Sequence, residues 1–243
     1  MVENHSTPIW ARPEPAGRRP RHTRAQIAAA ALRIADEEGI AALSMRRVAA
    51  DLGAGTMTLY HYVNSKADLL ALMTDAVMAE MLVPEDALTG GWRAGLSAIA
   101  HRTRTVLLRH PWAVTGLTGG GMSPAAVRHF EQSLTAVAEL ALSATEQVEI
   151  IELVDNFVSG FVAKVDVEPG ADTVLAEDDD AASAYLTGML STGEYPRFVA
   201  WLGTDDAWAG LRRIFGGLPD TDERFARGLD RLLNGIAAGL SIP

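Results

Sequence analysis

Residues 44–63 read SMRRVAADLGAGTMTLYHYV, and this stretch decides the fold of the N-terminal part of the chain. Ser44 precedes a short amphipathic run, Met45 to Leu52, and is placed to cap it by accepting a backbone N–H of the first turn. Gly53 follows, a residue that tolerates positive φ in a tight turn. A second short helix is expected from about Thr56 to Tyr62. Ala49 is small where two helices must cross closely, and Val48, Leu52, Leu59 and Val63 supply apolar anchors. Two short helices joined by such a turn make a helix-turn-helix. Its second helix can lie in the major groove of DNA while the first supports it.

Upstream, Thr23 and Gln26 form a capping box for a helix carrying Ile27, Ala31, Leu32, Ile34 and Ala35 at helical spacing. Gly39 is expected to end it as a left-handed cap, after an Asp36-Glu37-Glu38 turn whose charges oppose the helix dipole. Residues 1–22 contain Pro8, Pro13, Pro15 and Pro20 with little periodicity, and read as a disordered basic arm ending in Arg18, Arg19, Arg21 and His22.

Downstream, Asn64-Ser65 breaks the pattern, and Ser65 with Asp68 caps a fourth helix to about Leu82. Leu69, Leu70, Leu72, Met73, Val77 and Met81 are its apolar positions. From Gly91 onward the chain reads as long amphipathic helices: Trp92–Arg109, Pro124–Leu142, and a third opened by Ser143 with Glu146 and running past Phe157 and Phe161. The stretch EPGADTVLAEDDD within 167–180 reads as a loop. Short helices follow at about 181–191, 195–201 and 205–215, and a last one at about Asp222–Leu240. No strand pattern emerges, so the predicted class is all-α: an N-terminal three-helix helix-turn-helix domain followed by a larger helical regulatory and dimerisation domain. The division is a flexible basic arm at 1–22, a DNA-binding domain at 23–66, and a ligand-binding and dimerisation domain at 67–243.

The 243 residues carry a net charge of −10, which by itself argues against a polyanion partner. The distribution argues otherwise. Residues 1–66 carry nine Lys/Arg against six Asp/Glu, and residues 67–243 twelve against twenty-five. A basic head on an acidic body suits a nucleic-acid-binding module attached to a regulatory domain. With no cysteine, disulfides and thiolate chemistry are excluded. No run of 18 apolar residues and no apolar leader is present, so a protein of the cytoplasm, with no membrane partner, is expected. No nucleophile elbow, phosphate loop or HExxH motif occurs, so no enzymatic activity and no cofactor are expected. His101 and His110 stand nine residues apart, and no metal site is expected.

The run GIAALSMRRVAADLGAGTMTLYHYVNSKADLL, residues 39–70, resembles the DNA-binding domain of the TetR (tetracycline repressor) family. The likeness rests on Gly39, Leu43-Ser44, the Arg46–Val48–Ala49 run, Leu52-Gly53 and TLYHYVNSKADLL, and extends over about residues 23–82. It implies base contacts by Arg46, Thr56 and Thr58, and phosphate contacts by Tyr60, Tyr62 and Lys66. Arg46 can pair with guanine through two hydrogen bonds, and the threonines can meet a thymine methyl. Met57 can touch a base edge, and Ser44 can hold a phosphate as well as cap its helix. Tyr60 and Tyr62 also suit a packed role, and the arm arginines suit either backbone contact or plain solubility.

The resemblance further implies a transcriptional regulator, a repressor released from a palindromic operator by a small-molecule effector. The long helices at about 145–165 and 222–240 would pair as a homodimer, with Gly228, Gly235 and Gly239 permitting close approach. Candidate pocket residues are His101, Arg104, Trp112, His129, Phe130, Asn156 and Phe157. Ile99, Thr103 and Leu117 stand where tetracycline repressors contact drug, which implies a more apolar pocket and a different ligand.

Overall fold

The computed structural model describes residues 7–14, 22–116, 122–167, 180–203 and 206–240, and these contain helices and no strand. The helices are α1 (Arg24–Glu38), α2 (Met45–Asp51), α3 (Thr56–Tyr60), α4 (Lys66–Glu80), α5 (Trp92–Arg109), α6 (Ala113–Gly116), α7 (Pro124–Val137), α8 (Ala144–Val167), α9 (Asp180–Leu190), α10 (Pro196–Leu202), α11 (Ala207–Gly216) and α12 (Thr221–Gly239). They fall into two compact units. One runs to Val162 and is rejoined by Leu240, and the other spans Ala163–Gly239.

Local chemistry sets most of the boundaries. The Thr23 hydroxyl accepts from Gln26 N at 3.1 Å, and the Gln26 side chain accepts from Thr23 N at 3.0 Å, so the capping box is complete. Ser44, Ser65 and Ser123 cap α2, α4 and α7 by the same side-chain geometry. Gly53 takes φ 62° in the turn between α2 and α3. Gly39 also has positive φ, 82°, but its ψ is 157°, so the chain leaves α1 extended and does not form the expected left-handed cap. α7 stops at Val137, five residues short of the expected Leu142. The reason lies at the start of α5, where Gly91 has no side chain to cap with. Glu139 leaves the helical path, and its Oε1 accepts from Trp92 N at 2.7 Å.

In the first unit, α1 packs on α4 and α2 on α3, while α4 also packs on α7 and α5 on α7. Ile27, Ala31 and Ile34 of α1 and Leu69, Met73 and Val77 of α4 are fully buried. Because α4 packs on both α1 and α7, no break in packing falls at 66/67. Gly95 of α5 lies under Ala136 of α7 where a larger residue would not fit. In the second unit, Leu190, Leu202 and Ala207 form a small core with Leu186, Phe198 and Leu211 around it. The Trp201 ring lies 5.7 Å from Phe198, tilted, and 6.5 Å from Phe215, edge to face.

The expected disordered arm is partly wrong. Residues 7–14 are fixed, with a 3-10 turn at Ile9–Ala11 that buries Ile9 to 2% exposure. Arg24 at the start of α1 is buried and donates to four carbonyls: Ile9 at 2.9 Å, Arg12 at 2.6 Å, Pro13 at 3.1 Å and Tyr62 at 3.2 Å. Proline-rich sequence hid this strap because its anchors are one isoleucine and backbone oxygens, which have no periodicity to read. Arg18, Arg19 and Arg21 lie outside the described residues, as does the loop expected between 168 and 179.

Gly95→Ala is expected to destabilise the protein by about 1–3 kcal/mol. A Cβ there would sit 2.8 Å from Ala136 Cβ and 3.4 Å from its Cα, which a helix backbone cannot yield cheaply. Urea unfolding measures it, and an unchanged midpoint would contradict the close α5–α7 packing.

Candidate nucleic-acid interface

The helix-turn-helix is built as its sequence requires. Val48, Ala49, Leu59 and Val63 are buried, and Ala54 N donates to Ala49 O at 2.8 Å, closing the turn. α3 then presents one face outward. Met57 is 74% exposed, and Tyr60, His61, Ser65 and Lys66 are exposed beside it. Thr56 and Thr58 are half-buried on the same short helix, and Arg46 projects from α2 into solvent. The Ser44 hydroxyl accepts from Arg47 N at 3.2 Å and is solvent-facing, so it can cap and still meet a ligand oxygen. Lys66 stands on the first turn of α4, where unpaired N–H groups favour an anion. An exposed apolar tip flanked by hydroxyls and cations is a surface that can enter a groove and hold phosphates on either side.

Two expected contacts part company. Tyr60 is exposed, whereas Tyr62 is 8% exposed and its carbonyl is held by Arg24. Tyr62 is thus packed in the joint between α3 and α4, whereas Tyr60 faces solvent. Arg47 pairs with Glu38 and Asp51 along the α1–α2 face. Its hydrogen bond holds the Glu38 carboxyl below its usual range.

The expected pocket residues scatter more widely. Arg104 is buried, its guanidinium 5.7 Å from the Phe161 ring, and Phe157 lies 6.0 Å from Phe161 on the next turn of α8. His129 of α7 is buried, and its Nε2 is 3.4 Å from the hydroxyl of buried Thr103 on α5. Burial lowers the pKa of His129, favouring a neutral ring. His101, Phe130 and Asn156 are exposed, each on the outer side of its helix. Trp112 is elsewhere again, its Nε1 donating to Asp36 Oδ1 at 2.8 Å. Burial and neighbouring Glu152 raise the Asp155 carboxyl to about 6. Among the described residues no cluster of three or more His, Asp or Glu could hold a metal, and no helix is long and apolar enough to cross a membrane.

Sequence reasoning missed a junction. His110, buried at the end of α5, donates from Nδ1 to the Asp36 carboxylate of α1 at 2.9 and 3.0 Å. Its Nε2 faces Glu80 Oε1 of α4 at 3.5 Å, too long for a hydrogen bond. Arg109 also pairs with Glu80 at 2.7 Å, and Arg102 Nε donates to the Glu80 carbonyl at 2.6 Å. One imidazole thus stands between a carboxylate of α1 and a carboxylate of α4. The signal in the sequence was the run of three acids at an unfavourable helix end, each of which needs a partner.

Family models match almost the whole described chain. "Bacterial regulatory proteins, tetR family" matches residues 27–73, and "Tetracyclin repressor-like, C-terminal domain" matches residues 83–240. The chain belongs to the TetR family. TetR-family proteins are non-enzymatic transcription factors that bind DNA through this helix-turn-helix. The chain is 37% identical over 225 residues to the HTH-type transcriptional repressor DrrR1 of Streptomyces coeruleorubidus, covering 90% of this chain and 79% of that one. Apo ActR of Streptomyces coelicolor superposes with a TM-score of 0.70 at 26% identity, over 93% of this chain and 99% of ActR. ActR in complex with actinorhodin gives 0.67 at 25% identity, over 90% and 98%.

Two outcomes are expected. Tyr60→Phe should weaken operator binding several-fold with no change in melting temperature, while Tyr62→Ala should cost about 3 kcal/mol of stability; equal effects of the two on stability would contradict the placement. For Asp155, a folded pKa near 6 against an ordinary 3.8 means native stability that is present in acid and lost as pH rises through about 6. Asp155→Asn should therefore stabilise the protein at pH 7.5, by at most about 3 kcal/mol, with no gain at pH 4. A pH-independent difference in thermal unfolding would overturn it.

Proposed function

We propose that this chain is a ligand-released repressor that binds a palindromic operator as a homodimer, in the cytoplasm and without catalytic chemistry. The observation that carries the reading is the fixed contact between head and body: Asp36 of α1 held by His110 and Trp112 of the α5–α6 corner. A DNA-binding head controlled by a helical body needs contacts between the two, and this junction supplies one in addition to α4, which packs on both α1 and α7. Arg46, Thr56, Met57 and Thr58 take the base edges, and Ser44, Tyr60 and Lys66 the phosphates, with the Tyr62 hydroxyl at most a minor contributor. The functional division stays at 23–66 and 67–243, preceded by the N-terminal arm.

The effector site lies in the interior bounded by Thr103, Arg104, His129, Phe157 and Phe161. Its aromatic walls and few polar groups are the composition of a small-molecule pocket. ActR, similar in fold and length, is solved in complex with actinorhodin and with (S)-DNPA, which supports an organic effector here. Dimerisation uses α8 and α12. Leu153 is an exposed apolar residue of α8, and a Cβ at Gly160, Gly235 or Gly239 would meet nothing, so these faces are open to a partner helix.

Operator binding is tested by selecting duplexes from a random pool with full-length protein and measuring affinity by fluorescence anisotropy. A two-fold symmetric site bound about a thousandfold more tightly than scrambled DNA is expected. Enrichment of no duplex at any salt concentration would sink the reading. Coupling is tested with actinorhodin as the probe effector. In the wild type it should weaken operator binding by about 5-fold or more; in His110→Gln or Asp36→Asn that factor should fall toward one, with each separate affinity largely kept. An undiminished factor in both variants would remove the junction from the mechanism.

A further inference from the structure

We propose that Arg12, on the strap ahead of α1, is a positioning residue for operator binding: it cancels the charge of Asp68 at the DNA-facing start of α4. The inference rests on operator binding through α3 and the start of α4. Its geometry is a two-point contact, Arg12 Nη1 to Asp68 Oδ2 at 2.9 Å and Nη2 to Oδ1 at 2.7 Å, with both side chains largely shielded from water. The same carboxylate accepts from Asn64 N at 3.1 Å, and Asp68 N donates to the Ser65 hydroxyl at 3.1 Å. Asp68 therefore sits beneath the turn joining α3 to α4, two residues from exposed Lys66.

Two demands on that position conflict. An acid in the first turn of a helix is favourable for folding, since it meets the positive end of the dipole and ties down the preceding turn. The same acid lies beside the surface that must approach phosphate, where an uncompensated negative charge repels. A cation brought from outside the helix-turn-helix resolves the conflict, and Arg12 is that cation. Burial alone would raise the Asp68 carboxyl, but the hydrogen bonds and charge of Arg12 outweigh it, and the carboxyl is held below its usual range. Arg24 adds a more distant positive charge.

The strap is built to deliver this one charge. Ile9 is buried, the Arg12 Nε donates to Thr7 O at 2.6 Å, and Arg24 grips the carbonyls of Ile9, Arg12 and Pro13. Arg24 also holds the Tyr62 carbonyl at 3.2 Å, so strap and α3–α4 joint share one clamp. Arg12 thus reaches Asp68 from a backbone held by Arg24 at Ile9, Arg12 and Pro13.

The test uses full-length protein and a duplex selected by the wild type from a random pool, with affinity measured by anisotropy from low to moderate salt. Arg12→Ala should weaken binding about tenfold, and Asp68→Asn should bind as tightly as the wild type or tighter. The double variant Arg12→Ala/Asp68→Asn should return to within about threefold of the wild type, because the charge it lacks is no longer needed. Arg12→Gln keeps a hydrogen-bonding contact without charge and should weaken binding like Arg12→Ala, so the proposal survives if the alanine variant folds poorly. A double variant as weak as Arg12→Ala would show that Arg12 meets DNA itself, and an Arg12→Gln variant of wild-type affinity would show the strap to be a folding brace alone; either overturns the proposal. A wild type that enriches no duplex overturns the operator reading first, and this inference with it.

Discussion

Asp36 joins α1 to the α5–α6 corner, and the proposed coupling of head and body runs through this carboxylate. It stands in the last turn of α1, where the negative end of the helix dipole disfavours an acid. It is followed there by Glu37 and Glu38. Each of the three has a partner: Glu38 has Arg47 of α2, Glu37 has Arg33 one turn back, and Asp36 has His110 and Trp112 from the α5–α6 corner. The local penalty is offset by contacts that tie α1 to two different elements. Removing Asp36 would leave a buried imidazole and an indole N–H without their acceptor, while the α1–α4 core would stay largely intact.

The same logic recurs at the other end of the head. Asp68 is good for its helix and poor for a phosphate-facing surface, and it too is answered by a cation from elsewhere, on the strap. One acid ahead of the helix-turn-helix and one just after it thus each pair with a residue from elsewhere in the chain: Asp68 with the strap before the unit, and Asp36 with the α5–α6 corner behind it.

Much of the fold was legible in the sequence because it is local. The Thr23–Gln26 box, the serine caps and the Trp92–Arg109 span follow from residue types at fixed spacing, and the structure places them where that spacing does. What was illegible depends on contacts distant in sequence. Glu139 ends α7 early to cap α5, and Arg24 finds four carbonyls in a proline-rich segment. Tyr62 turns inward although it lies two residues from exposed Tyr60, because it follows buried Leu59 by three residues in a continuing turn, its N–H donating to Leu59 O at 2.9 Å. The exposed side chains of α3 and of the start of α4 were readable from the motif, whereas the interior of the body was not. Aromatic and polar residues recur all along α5, α7 and α8, and packing alone decides that Arg104, Phe157 and Phe161 converge while His101 and Asn156 face out.

Head and body are proposed to form one linked system joined at Asp36. Hydrogen exchange of the full-length protein, free and bound to its selected duplex, tests it without any effector. By linkage, DNA held at α3 should slow amide exchange at the end of α1, residues 36–38, and at the α5–α6 corner, residues 109–114, as well as at the interface. Slowing confined to α2, α3 and the first turn of α4, with the Asp36–His110 junction unchanged, would contradict the account.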